Sequence, residues 1–544
     1  MNQDKESKKR VLISDSLSEE GINKLREFAE VDVLLDLSKE ELKERIADYD
    51  ALVVRSSTKA TKEIVEAGTR LKVIGRAGVG VDNIDVETAT ERGILVVNAP
   101  EANTISAAEH TIGMLLSLSR NIPAAHGSMK SGKWDRKKYM GAEVNGKVLG
   151  IIGLGRVGNE VAKMAKGLGM RVVAYDPFIS QEKARELGIA LSGFTDVISV
   201  ADFITLHTPL MKDTYHLVGK DEFEQMKEGV RVINCARGGI LDEGALAAAI
   251  RSGKVAGAAL DVFENEPPKE SELLELEGVI MTPHLGASTK EAQKAAALII
   301  AEEVITALQN KPVRNALNMI YVEEELMDTI NPYLVLAEKL GRLCAQLIPK
   351  SSRMEHFNVS YEGEIGRTGP GGAGDDTRII TVAMLKSVLS WFTDGVNYVN
   401  AEAIAKKSGM KVTESKTEDS ENFASLISLS ITVKQDGNEE KKTVAGTLFG
   451  KDDMRIVQID GYRVDASPSG HMLICTFSDK PKVIGPVCTI LGDSGVNIAG
   501  MQVGRAKAGG EAVMVLNVDS SVSRDTMDEI KRVQNIIDVT LVKL

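Results

Sequence analysis

From Arg10 to Pro100 short apolar runs of β type alternate with amphipathic helical patterns. VLIS, VDVLL, ALVVR, LKVIG and ILVVN are strand candidates, separated by segments such as SKEELKERIADY. This alternation predicts a parallel sheet covered by helices. A long helical pattern, NTISAAEHTIGMLLSLSRN, comes next. The stretch GIIGLGRVGNEVAKMAKGLGMRVVAYDP then reads as strand, glycine turn, helix and second strand. DFITLH, VRVINCA, VAGAALDVF and VIMTPH continue the strand pattern, and the helical KEAQKAAALIIAEEVITALQN closes this half near residue 310.

Beyond it the periodicity changes. Residues 320–350 read as helix, EGEIGRTGPGGAGDDT as a Gly-rich loop that breaks a strand pair, and SLISLSITV and KKTVAGTLFG as an antiparallel sheet. From His471 the order is β-α-β-β-α-β: HMLICTF, a helix, VNIAGMQVGR, a turn at Gly509–Gly510, EAVMVLNV, a helix and IIDVTLVKL. That order is ferredoxin-like. The expected fold class is α/β, with two doubly wound parallel-sheet domains, an α+β domain and a ferredoxin-like domain.

A chain of 544 residues exceeds what one hydrophobic core supports, which predicts about three or four domains. The net charge of −12 argues against a nucleic-acid partner, so any basic cluster belongs to a small anion. No apolar run approaches the ~18 residues of a membrane span, and the start MNQDKESKKR lacks the apolar core of a signal peptide. Cys235, Cys344, Cys475 and Cys488 show no metal or disulfide spacing, and a reducing cytoplasm is expected with no metal.

The glycine turn is Gly153-Leu154-Gly155-Arg156-Val157-Gly158, directly after an apolar strand. Its first glycine permits the tight turn, its second lets backbone approach a pyrophosphate, and its third lets helix pack on strand. The helix that follows aims its first amides at phosphate. Asp176 lies 18 residues past Gly158, at the end of VVAYD, where a carboxylate accepts both ribose hydroxyls. It would repel a 2′-phosphate, so NAD is favoured over NADP.

Oxidising an alcohol requires a base near neutrality, a role suited to histidine. His110, His126 and His216 lie in or beside helical patterns and His356 and His471 lie outside this half, so these read as scaffold; His207, at the end of FITLH, precedes Thr208-Pro209, which reads as a cofactor-facing turn. His284 ends the strand VIMTP beside Leu285-Gly286-Ala287-Ser288, where open parallel sheets bind ligands. Glu266, in DVFENEPP after another strand end, is its orienting partner and should raise its pKa. Arg237 follows VRVINCA and precedes Gly238-Gly239, placed to hold a carboxylate bidentately. Asp242 caps the helix after it.

The order GLGRVG, Asp176, NCARGG, DVFENEP, PHLGAS resembles the D-2-hydroxyacid dehydrogenase family across roughly residues 8–318. The resemblance implies His284 as acid/base, Glu266 as its partner and Arg237 as substrate anchor. It also implies that a Rossmann NAD domain, 104–289, is inserted into a flavodoxin-like substrate domain, 8–103 and 290–318. Val79, Thr208, Cys235, Ala236, Asp261, Leu285, Gly286 and Ala287 match cofactor-facing positions of the family.

Arg55 and Arg76 stand at N-terminal strand ends, and Arg136-Lys137-Lys138 form a third basic group. Each alone reads as a solvated charge. Together, in so acidic a protein, they suggest a phosphate site. The full length is similar to the long members of that family, with an intervening domain (319–460) and an ACT domain (470–544). This implies oxidation of 3-phospho-D-glycerate to 3-phosphohydroxypyruvate, opening the phosphorylated route to serine, with Gly78 and Asn103 near the phosphate-binding arginines. Homodimers or homotetramers are expected, with serine as effector at Asp479 and Asn497. The family's Pro-Gly at the effector turn is Pro481-Lys482 here, so the last domain reads either as an effector site or as an assembly surface. Two other functions fit the same residues: a glyoxylate or hydroxypyruvate reductase, and an NAD-sensing corepressor-like scaffold.

Overall fold

The computed structural model describes residues 8–322, 324–367, 377–435, 437–450 and 452–544. Its first sheet is formed by β1 (Arg10–Ile13), β2 (Glu30–Val33), β3 (Ala51–Val54), β4 (Val73–Arg76) and β5 (Leu95–Asn98), in the order β2-β1-β3-β4-β5. All neighbours are parallel, and this is the flavodoxin-type order. A distant segment completes its core: helix Lys290–Leu308 lays Ile300 and Val304 over Gly75, where an added Cβ would stand 2.9 Å from each. The same helix meets Gly21 of helix Glu19–Phe28, whose Cβ would lie 2.7 Å from the Ala297 carbonyl oxygen. Only glycine permits that approach. The chain then runs beside β5, with Leu317 N–H donating to Val96 O at 2.9 Å.

The second sheet holds β6 (Val148–Ile152), β7 (Arg171–Tyr175), β8 (Ala190–Leu191), β9 (Phe203–Leu206), β10 (Val230–Asn234), β11 (Val255–Leu260) and β12 (Val279–Met281). Its order, β12-β11-β10-β9-β6-β7-β8, is parallel throughout and reverses direction at β6/β9, the crevice where doubly wound sheets take nucleotides. These strands read as continuous apolar runs because helices cover both faces.

The third sheet comprises β13 (Arg353–Gly363), β14 (Lys411–Thr417), β15 (Ser425–Gln435), β16 (Asn438–Phe449), β17 (Asp453–Ile459) and β18 (Tyr462–Ala466). Its order is β14-β13-β15-β16-β17-β18, with β13/β14 parallel and β15/β16 the expected antiparallel pair. Residues 368–376 of the expected Gly-rich loop lie outside the described residues. The last sheet, β19 (His471–Ser478), β20 (Ile498–Arg505), β21 (Glu511–Val518) and β22 (Ile536–Lys543), is antiparallel in the ferredoxin-like order β20-β21-β19-β22. Both faces of its central strands β19 and β21 are buried. Leu473, Cys475, Met514 and Leu516 pack with Val487 and Leu491 of helix Ile484–Asp493, whereas the alternate Met472, Ile474, Val513 and Val515 join the core of the third-sheet domain.

Candidate active site

Strand ends of the first two sheets face each other across a cavity of about 580 Å³. Arg55, Arg76, Gly78 and Asn103 line one wall, Arg237, Glu266 and His284 the other. The sequence separates these side chains; the two parallel sheets bring them together.

His284 follows β12 with a left-handed φ of +55°. Its backbone N–H donates to Asp261 O at 2.9 Å, and its Nδ1 lies 2.9 Å from Glu266 Oε2. The hydrogen bond to Glu266 raises the imidazole pKa, against the opposing effect of burial. Burial works to raise Glu266 as well, but the bonds from His284 and the Phe263 amide hold it below the usual carboxylate range. The expected acid/base pair is thus assembled, leaving Nε2 as the free ring nitrogen.

Arg237 lies after β10. Its Nη1 donates to Ala236 O at 2.7 Å, and its Nε reaches Asp82 Oδ2, at 3.2 Å, on the opposite wall. Its Nη2 passes so close to Gly80 that a Cβ there would lie 1.9 Å away. Arg76, at the end of β4, has its Nε buried with no protein partner, and its guanidinium leaves no room for a Cβ at Gly78. Burial first, and then Arg237, lower its pKa to about 10. Arg55, Arg76 and Arg237 thus place three cations around one cavity, tempered by Asp82 and Asp15. Arg55 is set by Asp15, which accepts from Arg55 N–H at 2.5 Å and Thr58 N–H at 3.1 Å. Arg136-Lys137-Lys138 is not among the lining residues; Lys138 instead pairs with Glu277 at 3.5 Å.

The glycine turn fits a dinucleotide. Gly153 has φ +95°, and its Cβ would meet His207 O at 2.7 Å; that of Gly158 would meet Gly153 O at 2.2 Å. A Cβ on Gly155 would meet nothing within 4 Å, so glycine there clears space in front of helix Arg156–Gly167 rather than allowing packing. Thr208 Oγ1 is buried at the same crevice without a partner among the described residues. Asp176 accepts from Leu154 N–H and Phe178 N–H, both at 2.8 Å, which turns its carboxylate toward the glycine turn. Burial raises the Cys235 thiol to about 12, which keeps it protonated at neutral pH, and lowers His207 to about 4, which keeps its imidazole uncharged.

Asp261 has a structural duty that sequence reading missed. Its carboxylate accepts from the amides of Leu285 (2.7 Å) and Gly286 (2.8 Å) and from Thr282 Oγ1 (2.6 Å), with His110 Nε2 at 3.2 Å. Four partners fix the loop that carries His284. Asp82 escaped the sequence, and His110 was read there as scaffold without its partner, because the partners are distant: Asp82 lies 155 residues from Arg237, and His110 172 from Thr282. In the C-terminal domain Asp479 accepts from Arg505 at 3.1 Å and Gly509 N–H at 3.2 Å, whereas Asn497 donates to Asp519 at 2.7 Å. No hydrogen bond joins the two among the described residues. Lys482 adopts φ +69°, a glycine-like conformation carrying a long side chain.

Fold and site together define a nicotinamide-dependent dehydrogenase acting on small 2-hydroxy acids. Residues 112–286 match the D-isomer specific 2-hydroxyacid dehydrogenase NAD binding domain, 329–460 the D-3-phosphoglycerate dehydrogenase intervening domain, and 471–535 the ACT domain. The chain is 46% identical to the D-3-phosphoglycerate dehydrogenase of Methanocaldococcus jannaschii, over 98% of this chain and 100% of that one. It is 45% identical to the Archaeoglobus fulgidus enzyme of the same name, over 98% and 100%. The solved glyoxylate reductase of Paecilomyes thermophila covers 57% of this chain and 98% of its own, at 29% identity and TM-score 0.54. The chain belongs to the D-3-phosphoglycerate dehydrogenase family, in its long form with intervening and ACT domains.

Proposed function

We propose that this chain oxidises 3-phospho-D-glycerate to 3-phosphohydroxypyruvate with NAD, the first step of the phosphorylated route to serine. The observation that carries this reading is the convergence of Arg55, Arg76 and Arg237 on one cavity with the His284–Glu266 pair. NAD would be held by Gly153, Gly155, Arg156, Val157 and Gly158 at its pyrophosphate and by Asp176 at its ribose. Val79, Thr208, Cys235, Ala236, Asp261, Leu285, Gly286 and Ala287 would line the rest of the cofactor site.

Bound NAD supplies the hydride acceptor. Neutral His284 takes the C2 hydroxyl proton on Nε2, and Glu266 stabilises the imidazolium that forms. Arg237 holds the carboxylate and polarises the reacting oxygen with its Nη groups. Arg55 and Arg76 hold the phosphate, with Gly78 and Asn103 beside them. Arg76, whose Nε is buried without a partner among the described residues, is the more sheltered of the two anchors.

The assay is NADH formation by the purified protein with 3-phosphoglycerate, D-glycerate and other 2-hydroxy acids. Fast turnover of the phosphorylated acid supports the reading; preference for glycerate favours a hydroxypyruvate reductase, and no turnover of any favours an NAD-sensing scaffold. A cytoplasmic homodimer or homotetramer completes the proposal, supported by four free cysteines and the ACT domain. Serine, bound at Asp479 and Asn497 between paired copies, would lower turnover; an unchanged rate with serine would leave the ACT domain as an assembly surface.

A further inference from the structure

His216 stands outside the catalytic cavity yet touches both loops that carry catalytic side chains. Its backbone N–H donates to Gly239 O at 2.7 Å, and its Nε2 lies 2.9 Å from Glu264 Oε1. Gly239 is two residues past Arg237; Glu264 is two residues before Glu266. The loops are pressed together: a Cβ on Gly238 would fall 1.8 Å from the Phe263 carbonyl oxygen. Next to that contact, Phe263 N–H donates to Glu266 Oε1 at 3.2 Å.

The imidazole is held from several sides. The Tyr215 ring stacks on it, centroids 4.0 Å apart at 16°, and also abuts Gly239. Asp242 Oδ2 lies 3.6 Å from Nδ1. Glu264 is fixed in turn, its N–H donating to Glu243 Oε1 at 2.7 Å. His216 itself has φ +51°, an uncommon conformation for a side chain of this size. Backbone strain of this kind persists only where surroundings over-determine it.

We propose that His216 is a positioning residue for the reaction: it fastens the Arg237 loop to the Glu266 loop and so fixes the substrate anchor relative to the acid/base pair. The inference rests on the roles proposed above for Arg237 and Glu266. A rigid ring suits this task, because it spans the gap while losing little rotamer freedom. Releasing it moves Arg237, which is read in KM, and Glu266, which is read in kcat. Misplacement by about 1 Å can cost on the order of a hundredfold in rate. The glycine turn and Asp176 lie elsewhere, and no hydrogen bond joins His216 to Cys235, Ala236 or Asp261 among the described residues, so cofactor affinity should stay within twofold.

The test compares wild type with H216A, H216Q, E264A and the double variant H216A/E264A, using 3-phosphoglycerate and NAD. H216A and E264A should each lower kcat/KM about tenfold, through both constants, with NADH Kd within twofold of wild type. The double variant should be no worse than either single, because both break one contact. H216Q, whose side-chain amide also donates to Glu264, should recover most of the loss. H216A within twofold of wild type, a loss in only one single variant, losses that multiply, or a parallel fall in NADH affinity would each overturn the proposal. Should H216A fold poorly, E264A reads the same contact from its other side. A wild type inactive on 3-phosphoglycerate would count against the proposed substrate alone, and the variants would then be compared on whichever 2-hydroxy acid it does turn over.

Discussion

As the proposed base, His284 would act only in its neutral form, and Glu266 would set the pH at which that form is reached. Because the carboxylate raises the imidazole pKa, alcohol oxidation should rise with pH through a value above that of free histidine, and ketone reduction should fall. E266Q removes the support for the cation, lowers that pKa and should move the rising limb of kcat/KM to lower pH; an unmoved limb would separate Glu266 from the titration. H284Q should lower kcat by about 10²–10⁴-fold while NADH affinity measured by fluorescence titration holds. Unchanged turnover would remove His284 from the acid/base role. His284, Glu266 and Arg237 were legible because each lies in the loop after a strand, beside glycine or proline, a local signal. Asp82, His110 and Asp15 were not, because their meaning lies in partners reached only through the fold: Asp15 looks like any turn aspartate until it accepts the Arg55 and Thr58 amides.

At the scale of the element, the glycine turn separates two uses of one residue type. G155A adds a Cβ that meets no protein atom within 4 Å, so thermal stability should hold while NADH affinity falls at least tenfold. G158A drives a methyl into the Gly153 carbonyl, so it should lower both stability and NADH affinity. Equal thermal losses in the two variants would mean that Gly155 serves packing after all. The βαβ unit was plain in the sequence, since strand, turn, helix and acidic end occur in order within Gly150–Pro177. The use of Asp176 was legible only in part: its carboxylate also ties the turn together through the amides of Leu154 and Phe178.

Across the whole molecule, the division into two parallel-sheet units and a ferredoxin-like tail followed from periodicity, but their attachments did not. The run HMLICTF looks like one buried strand; only the structure shows that its alternate side chains serve two cores, binding the tail to the third-sheet domain. The basic group Arg136-Lys137-Lys138 shows the converse, a charge run whose placement sequence could not give, since it lies off the cavity. What remains at that cavity is Arg55, Arg76 and Arg237, three cations for a substrate with two anionic ends. The direct measurement is kcat/KM for 3-phosphoglycerate and for D-glycerate in the wild type and in the double variant R55A/R76A. A phosphate site predicts that 3-phosphoglycerate loses at least a hundredfold while glycerate changes less than threefold. Equal losses for the two acids would contradict it.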